Sequence, residues 1–173
     1  VGITEEPKTI DDVYNLFYQF TYGDPDGNGK DDTYGLELCS YTGPFDVMQT
    51  WFGVGNGWYK NDAGELRPVF EQPEYFEALD WFKKLYDDGL IANDWAVRGT
   101  DTWNQDVKNG VAGAFCDVID GSRRIWDYFV NNDVKSVTNP SEPAAMTLVG
   151  TINDHTLATS GYNGLFVLSA STC

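Results

Sequence analysis

The chain has 173 residues, enough for one domain with a substantial hydrophobic core. Its formal net charge of -16 argues against nucleic acid and anionic membrane surfaces as partners, because both would repel the protein. Hydrophobic residues make up 42% of the sequence and aromatic residues 15%, which excludes a disordered tail and provides flat rings of the kind that cover sugars.

The cysteine and histidine content limits catalytic and metal chemistry. Cys39, Cys116 and Cys173 are widely spaced and form no CxxC pair, so they predict neither a zinc site nor a disulfide framework. His155 is the only histidine, which leaves little basis for a histidine-dependent triad or a transition-metal cluster. No apolar run reaches the roughly 18 residues of a membrane span. His155 could still pair with a nucleophile elsewhere, but no such arrangement is recognisable, and we expect a protein that is not an enzyme.

A helix is the first predicted element. Residues 9–12 form a capping box variant, and apolar side chains then recur from Ile10 to Phe20 at spacings of three and four. The pattern predicts a helix that ends near Gly23.

The segment that follows, DPDGNGKDD at residues 24–32, alternates oxygen-bearing side chains with glycines. Counted from its first residue, it has oxygen ligands at positions 1, 3, 5 and 9, a lysine at position 7, where only the carbonyl binds, and a glycine at position 6 for the sharp turn. This pattern is typical of a calcium-binding loop. The predicted ligands are Asp24, Asp26, Asn28, Lys30 and Asp32.

The loop departs from an EF-hand at its end. Position 12 is Gly35, where an EF-hand has a bidentate glutamate, so the remaining oxygens would come from Asp31, Thr33, Glu37, water or a distant residue. The alternative interpretation is an acidic turn held by hydrogen bonds between side chains and backbone. Because the loop lies between a helix and a strand, a bound ion would brace that junction.

A strand, a short helix and a hairpin are predicted next. Residues 33–40 alternate as a strand does, and residues 45–52 follow a Gly-Pro break as a short helix. Residues 58–60 and 66–70 predict a β-hairpin, because the residues that join them tolerate positive φ.

The clearest predicted helix spans residues 72–89. Proline and acidic residues begin it, and Gly89 supplies a left-handed C-terminal cap. The expected apolar face consists of Phe76, Leu79, Phe82 and Tyr86.

Strands and helices interleave along the rest of the chain. Helices are expected at residues 101–108 and 121–130, and strands at residues 111–116, 145–149 and 165–168. The alternation favours an α/β or α+β layered domain.

Five segments stand out in chain order. They are PKTIDDVY at residues 7–14, DPDGNGKDDTYGL at 24–36, PEYFEALDWFKKLYDDGLI at 73–91, NGVAGAF at 109–115 and GYNGLFVLS at 161–169. Together they resemble the extracellular solute-binding proteins of bacterial ABC importers, in particular the lipoprotein group that serves oligosaccharide uptake.

The resemblance implies a fold and a domain organisation. The expected fold is a type II periplasmic-binding-protein-like α/β lobe, a mixed sheet flanked by helices, with an EF-hand-like calcium loop of structural role. Residues 1–173 would be a single lobe of a two-lobe protein, without the N-terminal lobe and the C-terminal helices.

The resemblance also implies a function. The expected protein is the substrate-binding component of an ABC transporter, which captures a sugar or oligosaccharide outside the cell and passes it to a membrane permease. It would be a monomeric cell-surface lipoprotein, held at the membrane only by a lipid anchor of the full-length protein, with no nucleic-acid partner.

The ligand site implied by the resemblance lies at strand ends and on aromatic side chains. In this sequence the residues at those places are Trp58 near the hairpin, Cys116 and Asp117 after the strand at 111–116, Trp126 in the following helix and Tyr162 before the last strand. Trp95 and Trp103 are further candidates, by loop position alone.

Two other functions fit part of the sequence. A glycoside hydrolase would explain the aromatic residues and the acids, since its chemistry needs only two carboxylates. A calcium-stabilised adhesion or scaffold module would explain the loop. No pair of carboxylates stands in a recognisable catalytic context.

Overall fold

The computed structural model describes residues 3–137 and 139–157. Helices and strands interleave in it, as the sequence predicts. The elements are α1 (Ile10–Tyr22), β1 (Tyr34–Glu37), α2 (Gly43–Met48), β2 (Trp58–Lys60), β3 (Leu66–Pro68), α3 (Pro73–Asp87), α4 (Gln105–Lys108), β4 (Ala112–Phe115) and α5 (Ile119–Asn131), with 3-10 turns at Gln49–Phe52, Val69–Glu71 and Trp95–Val97.

The central sheet is parallel. Strands β1 and β4 pair with Tyr34 opposite Ala112 and Leu36 opposite Ala114. Leu36 also forms a parallel bridge to Ile91. The antiparallel hairpin of β2 and β3 is a separate sheet. Within the described residues, the expected single mixed sheet is instead two separate sheets, one parallel and one antiparallel. The parallel strands end at one common edge.

The start of α1 is a complete capping box. The Thr9 hydroxyl accepts the backbone N–H of Asp12 at 3.1 Å, and the Asp12 carboxylate accepts the backbone N–H of Thr9 at 2.9 Å. The helix then packs Phe17 directly over Gly35 of β1, where an added Cβ would lie 2.4 Å from the Phe17 Cβ. This close approach explains why β1 carries glycine at that position.

The main core lies between the sheet and helices α1, α2 and α3. Its fully buried side chains include Leu36, Leu38, Met48 and Leu85. A second cluster, with Ile125 at its centre, packs on the other side of β4. The short parallel sheet is thus covered by helices, which is the layered α/β arrangement.

The tight turn at residues 152–155 closes the main core near α1. Ile152 is fully buried in the core, and the backbone N–H of Asn153 donates to the Lys8 carbonyl at 2.7 Å. The Asn153 side chain donates to the Trp51 carbonyl at 3.4 Å. The two ends of the described chain therefore pack on each other.

The expected face of α3 is wrong. Phe76 is 57% exposed, and Leu79 and Tyr86 are exposed as well. Aromatic residues occur all around this helix, so the spacing alone fits more than one face. Only Phe82 belongs to both faces. The buried residues are Ala78, Trp81, Phe82 and Leu85.

Two other expected elements differ from the structure. The helix expected at residues 101–108 is limited to α4, because Asn104 has a φ of 73° and interrupts it. Residues 145–149 do not form a strand; Met146 packs against the second core cluster instead. The strand expected at residues 165–168 lies outside the described residues. Among the described helices, none combines the length and the apolar character needed to cross a membrane.

Candidate functional site

The candidate site lies at the carboxyl edge of the parallel strands, where ligands bind in open α/β sheets. Chain segments leave this edge after Glu37 of β1, after Ile91 and after Phe115 of β4. In the first of them, Tyr41 is exposed and its ring lies 5.8 Å from that of buried Trp103, edge to face. Trp103 thereby supports an exposed aromatic surface at the edge.

Cys116 and Asp117 follow β4 directly, as expected. Burial, followed by the nearby Asp117 charge, raises the pKa of the Cys116 thiol to about 12. A thiol that holds its proton this firmly is a poor nucleophile. Asp117 is exposed and accepts the backbone N–H of Val118 at 2.7 Å, and an added Cβ on Gly121 would lie 1.8 Å from its carboxylate. Asp117 therefore sits against the first turn of α5.

The other predicted ligand residues are spread more widely. Trp126 is 43% exposed on α5 and lines a cavity of about 270 Å³ together with Ile119 and Leu148. Trp58 is 63% exposed on the separate hairpin. Tyr162 lies outside the described residues. The structure thus brings Cys116 and Asp117 to the edge, places Trp126 farther along the helix that follows, and puts Trp58 on another sheet.

Sequence reasoning missed a buried charged network at the end of β1. The fully buried Glu37 carboxylate accepts the backbone N–H groups of Asp106 at 3.2 Å and Val107 at 2.9 Å. The Arg98 guanidinium lies 3.8 Å from Glu37, donates to Asp106 at 2.6 Å and donates to the Tyr34 hydroxyl at 2.9 Å. The network fixes the segment before β4, which carries Trp103, against β1.

Burial and hydrogen bonding act in opposite directions on the two carboxylates of this network. Burial raises the pKa of Glu37, although its backbone donors oppose the shift. Burial also disfavours the Asp106 anion, but hydrogen bonds from Tyr34 and Arg98 outweigh it and lower the Asp106 pKa. From the sequence, Glu37 is only a possible additional calcium ligand, and no short motif links it to Arg98.

The loop at residues 24–32 has the turn that the sequence predicts. Gly29, at position 6, has a φ of 75°. The Asp24 carboxylate accepts the backbone N–H groups of Asn28 and Gly29, each at 3.0 Å. The Asn28 side-chain N–H group lies 2.8 Å from Asp26 and 3.2 Å from Asp32. Three carboxylates therefore converge on Asn28.

The donor set of this loop fits a hard cation, because carboxylate, amide and backbone oxygens are the ligands that calcium prefers. The arrangement also agrees with the alternative of an acidic turn, because the Asn28 side-chain N–H group donates to both Asp26 and Asp32 and so holds the turn by hydrogen bonds. Within residues 3–137 and 139–157, no three His, Cys, Asp or Glu side chains are placed to hold a metal ion.

Comparison with known proteins identifies relatives of this chain. No protein-family model matches the sequence. It is 39% identical over 177 residues to lipoprotein LipO of Bacillus subtilis, a match that covers 99% of this chain and 34% of LipO. It is 33% identical over 111 residues to the polygalacturonan/rhamnogalacturonan-binding protein YtcQ of the same organism, covering 63% of this chain and 22% of YtcQ.

A third relative also has solved structures. The fructooligosaccharide ABC transporter substrate-binding protein FusA of Streptococcus pneumoniae is 28% identical over 130 residues, covering 64% of this chain and 24% of FusA. Its complex with kestose superposes with a TM-score of 0.56 at 24% identity, covering 63% of this chain and 23% of that one. An EF-hand mutant of FusA gives a TM-score of 0.55. These structures confirm the predicted α/β fold.

The chain spans about a third of the length of LipO and about a quarter or less of YtcQ and FusA. YtcQ and FusA are named as binding proteins, and none of the three is named as an enzyme. The sequence match over nearly the whole chain and the shared fold agree with the five segments that first suggested the relationship. The chain is therefore similar in sequence to LipO, to YtcQ and to FusA, an ABC transporter substrate-binding protein, and it shares the α/β fold of FusA.

Proposed function

We propose that this chain is part of a substrate-binding protein that captures a sugar or oligosaccharide outside the cell and delivers it to an ABC permease. The observation that carries the proposal is the match to YtcQ, a polygalacturonan/rhamnogalacturonan-binding protein, and to FusA, a fructooligosaccharide-binding one. The carboxyl edge suits this role, because Tyr41 is exposed beside Trp103 and Asp117 is exposed directly after β4. Aromatic faces cover sugar rings while carboxylates accept hydroxyl hydrogen bonds.

Binding without catalysis is consistent with the chemistry at this edge. Cys116 is itself one of the predicted ligand residues after β4, and its raised pKa keeps the thiol protonated near neutral pH. Glu37 is buried against backbone N–H groups and Arg98, so it is not presented to a substrate. These groups hold the lobe together and leave recognition to exposed side chains.

The whole protein would have the two-lobe organisation of the solute-binding proteins that this chain resembles. We infer that residues 1–173 form one lobe of a two-lobe monomer that closes on its ligand. It would stay at the cell surface through a lipid anchor, as the name of LipO suggests for that relative. Closure would remove water from both faces of the bound sugar, which is the main source of affinity expected here.

We further propose that the loop at residues 24–32 binds a structural calcium ion. Its oxygens would come from Asp24, Asp26, Asn28 and Asp32 and from the Lys30 carbonyl. The support is the donor chemistry, the positive φ of Gly29 and the convergence of three carboxylates in one loop. The ion would neutralise those charges and hold the end of α1 to the start of β1.

The test uses the full-length protein that contains this chain, measured by isothermal titration calorimetry. The glycans are neutral fructo-, galacto-, xylo- and manno-oligosaccharides together with oligogalacturonides and rhamnogalacturonan fragments. We expect saturable binding of one glycan class with no release of shorter products. Product release would instead indicate a glycoside hydrolase, and a lack of binding to every glycan would contradict carbohydrate capture.

A further inference from the structure

A second cavity, distinct from the carboxyl edge, lies between α2, α3 and the segment after Ile91. Its volume is about 770 Å³, within the usual range for small-molecule sites. Its wall is aromatic: the Phe45 ring lies 5.2 Å from the ring of Trp95 and 4.8 Å from that of Phe82, and Tyr86 also lines the space. We call this space the α2–α3 cavity.

Gln49 is the polar residue that makes this cavity unusual. It lines the cavity and is only 7% exposed. Its backbone N–H is bonded to helix α2, but its side-chain amide has no hydrogen-bond partner in the described part of the chain. The indole N–H groups of Trp81 and Trp103 also have no partner, but they are inaccessible to solvent, whereas the Gln49 amide is not among such fully buried groups. Its free polar atoms therefore face the cavity.

A comparison with Gln72 indicates that this arrangement is not a general property of buried glutamines here. Gln72 is 8% exposed, and its side-chain oxygen accepts the backbone N–H of Gly55 at 2.9 Å. Buried polar groups in proteins normally have such a partner, since an unmade hydrogen bond costs stability. The amide of Gln49 gains a partner if a ligand occupies the cavity.

The cavity wall favours a neutral, ring-shaped ligand with hydroxyl groups. Thr42 and Asn93 add uncharged hydrogen-bonding side chains, and Asp46 adds a negative charge. Lys83, the cation on the wall, is paired with Asp87. An anionic ligand would meet the Asp46 carboxylate without a free counter-charge from Lys83, whereas aromatic rings and amides suit a sugar ring.

We propose that the α2–α3 cavity is a subsite for one neutral sugar unit, with Gln49 as its hydrogen-bonding residue. This inference rests on the proposed function, because the sugar would be one end of the oligosaccharide held at the carboxyl edge. The two places adjoin along the chain: Tyr41 stands at the edge, and Thr42, the next residue, lines the cavity.

Two leucine variants and one filling variant of the full-length protein test the subsite. Gln49→Leu removes the free amide at similar size, and Gln72→Leu removes the partnered one. Ala96→Trp adds bulk at an exposed position on the cavity wall without entering the core. Calorimetry with the neutral oligosaccharide that binds best to the wild-type protein gives the affinities, and thermal melting of the free proteins gives their stability.

We expect Gln49→Leu to weaken binding about tenfold with an unchanged or higher melting temperature, because one hydrogen bond to the ligand is lost and no protein bond is broken. Gln72→Leu should lower the melting temperature and leave affinity unchanged. Ala96→Trp should weaken binding of long oligosaccharides more than short ones.

Three results would overturn the subsite. The first is an unchanged affinity in both Gln49→Leu and Ala96→Trp. The second is an equal loss of affinity and stability in both leucine variants, which would indicate a structural role alone. The third is a wild-type preference for oligogalacturonides that depends on Gln49, which would contradict a neutral ligand. Failure of the wild-type protein to bind any glycan is different, since it removes the proposed function itself.

Discussion

Strand β1 has acidic groups at both of its ends, and they are stabilised in different ways. Before the strand, Asp24, Asp26 and Asp32 lie in an exposed loop and are bonded to N–H groups of that same loop. At its end, Glu37 is fully buried and is held by distant groups, the backbone of α4 and Arg98. The first arrangement is local and carries uncompensated charge, whereas the second is non-local and electrically paired.

The difference determines what can be read from sequence. The loop is a motif because its donors and acceptors are neighbours along the chain, so spacing alone predicts its turn and its oxygen donors. The partners of Glu37 are about 60 to 70 residues away. Such a network exists only once β1 and β4 are paired, and no spacing rule could have predicted it.

The largest expected effect comes from breaking the buried network. Arg98→Ala leaves Glu37 and Asp106 close together without their cation, so the free energy of unfolding should fall by about 3 kcal/mol. Urea denaturation measures the loss. Arg123→Ala is the control, because that side chain is exposed and its pair with Asp127 is a surface pair, so it should change stability by less than about 0.5 kcal/mol. Equal effects of the two variants would contradict the importance of the network.

The loop responds to calcium if it binds the ion. Calcium at about 100 times its dissociation constant should raise the free energy of unfolding of the full-length protein by about 2.7 kcal/mol, and a chelator should reverse the effect. Asp26→Asn should reduce the response, whereas Asp62→Asn, in the turn of the hairpin, should leave it unchanged. Identical melting temperatures with calcium and with chelator would show that the loop is only an acidic turn.

The contact between α1 and β1 gives a smaller effect. Gly35→Ala places a methyl group against Phe17, so we expect a loss of about 2 kcal/mol from overpacking. Gly27→Ala is a useful comparison, because an added Cβ there meets nothing within 4 Å, although its φ of 67° adds backbone strain. A Gly35→Ala variant as stable as the wild type would contradict the close packing. Chemical denaturation measures both.

The smallest effect is a change in pH dependence. Because the Glu37 pKa is raised in the folded protein, its contribution to stability is complete below the unfolded pKa of about 4.3 and is lost as pH rises through the folded value. Asp106, whose pKa is lowered, behaves in the opposite way: its contribution is present above the unfolded value and is lost as pH falls. Glu37→Gln should therefore flatten the decline of stability with rising pH. An unchanged slope between Glu37→Gln and the wild type, in denaturation curves at several pH values, would contradict this.

Local patterns predicted local structure well. The capping box at Thr9, the left-handed Gly89 and the hairpin all follow from nearest-neighbour chemistry, and each is present. The face of α3 was predicted wrongly, because the apolar spacing allowed more than one solution and only contacts with α2 and the sheet decide between them. The same limit applies to the candidate site: Cys116 and Asp117 follow a predicted strand, but the free amide of Gln49 has no sequence signature.

The turn at residues 152–155 has a consequence for how the chain folds. Since Asn153 binds the carbonyl of Lys8, a closing contact forms between groups about 145 positions apart. Contacts across so long a loop form late in folding, because the entropy cost of closing the loop comes before the favourable energy of the contact. Until Ile152 packs, the apolar layer beneath α1 stays open to water, so the main core is completed only when residues 152–155 dock beside α1.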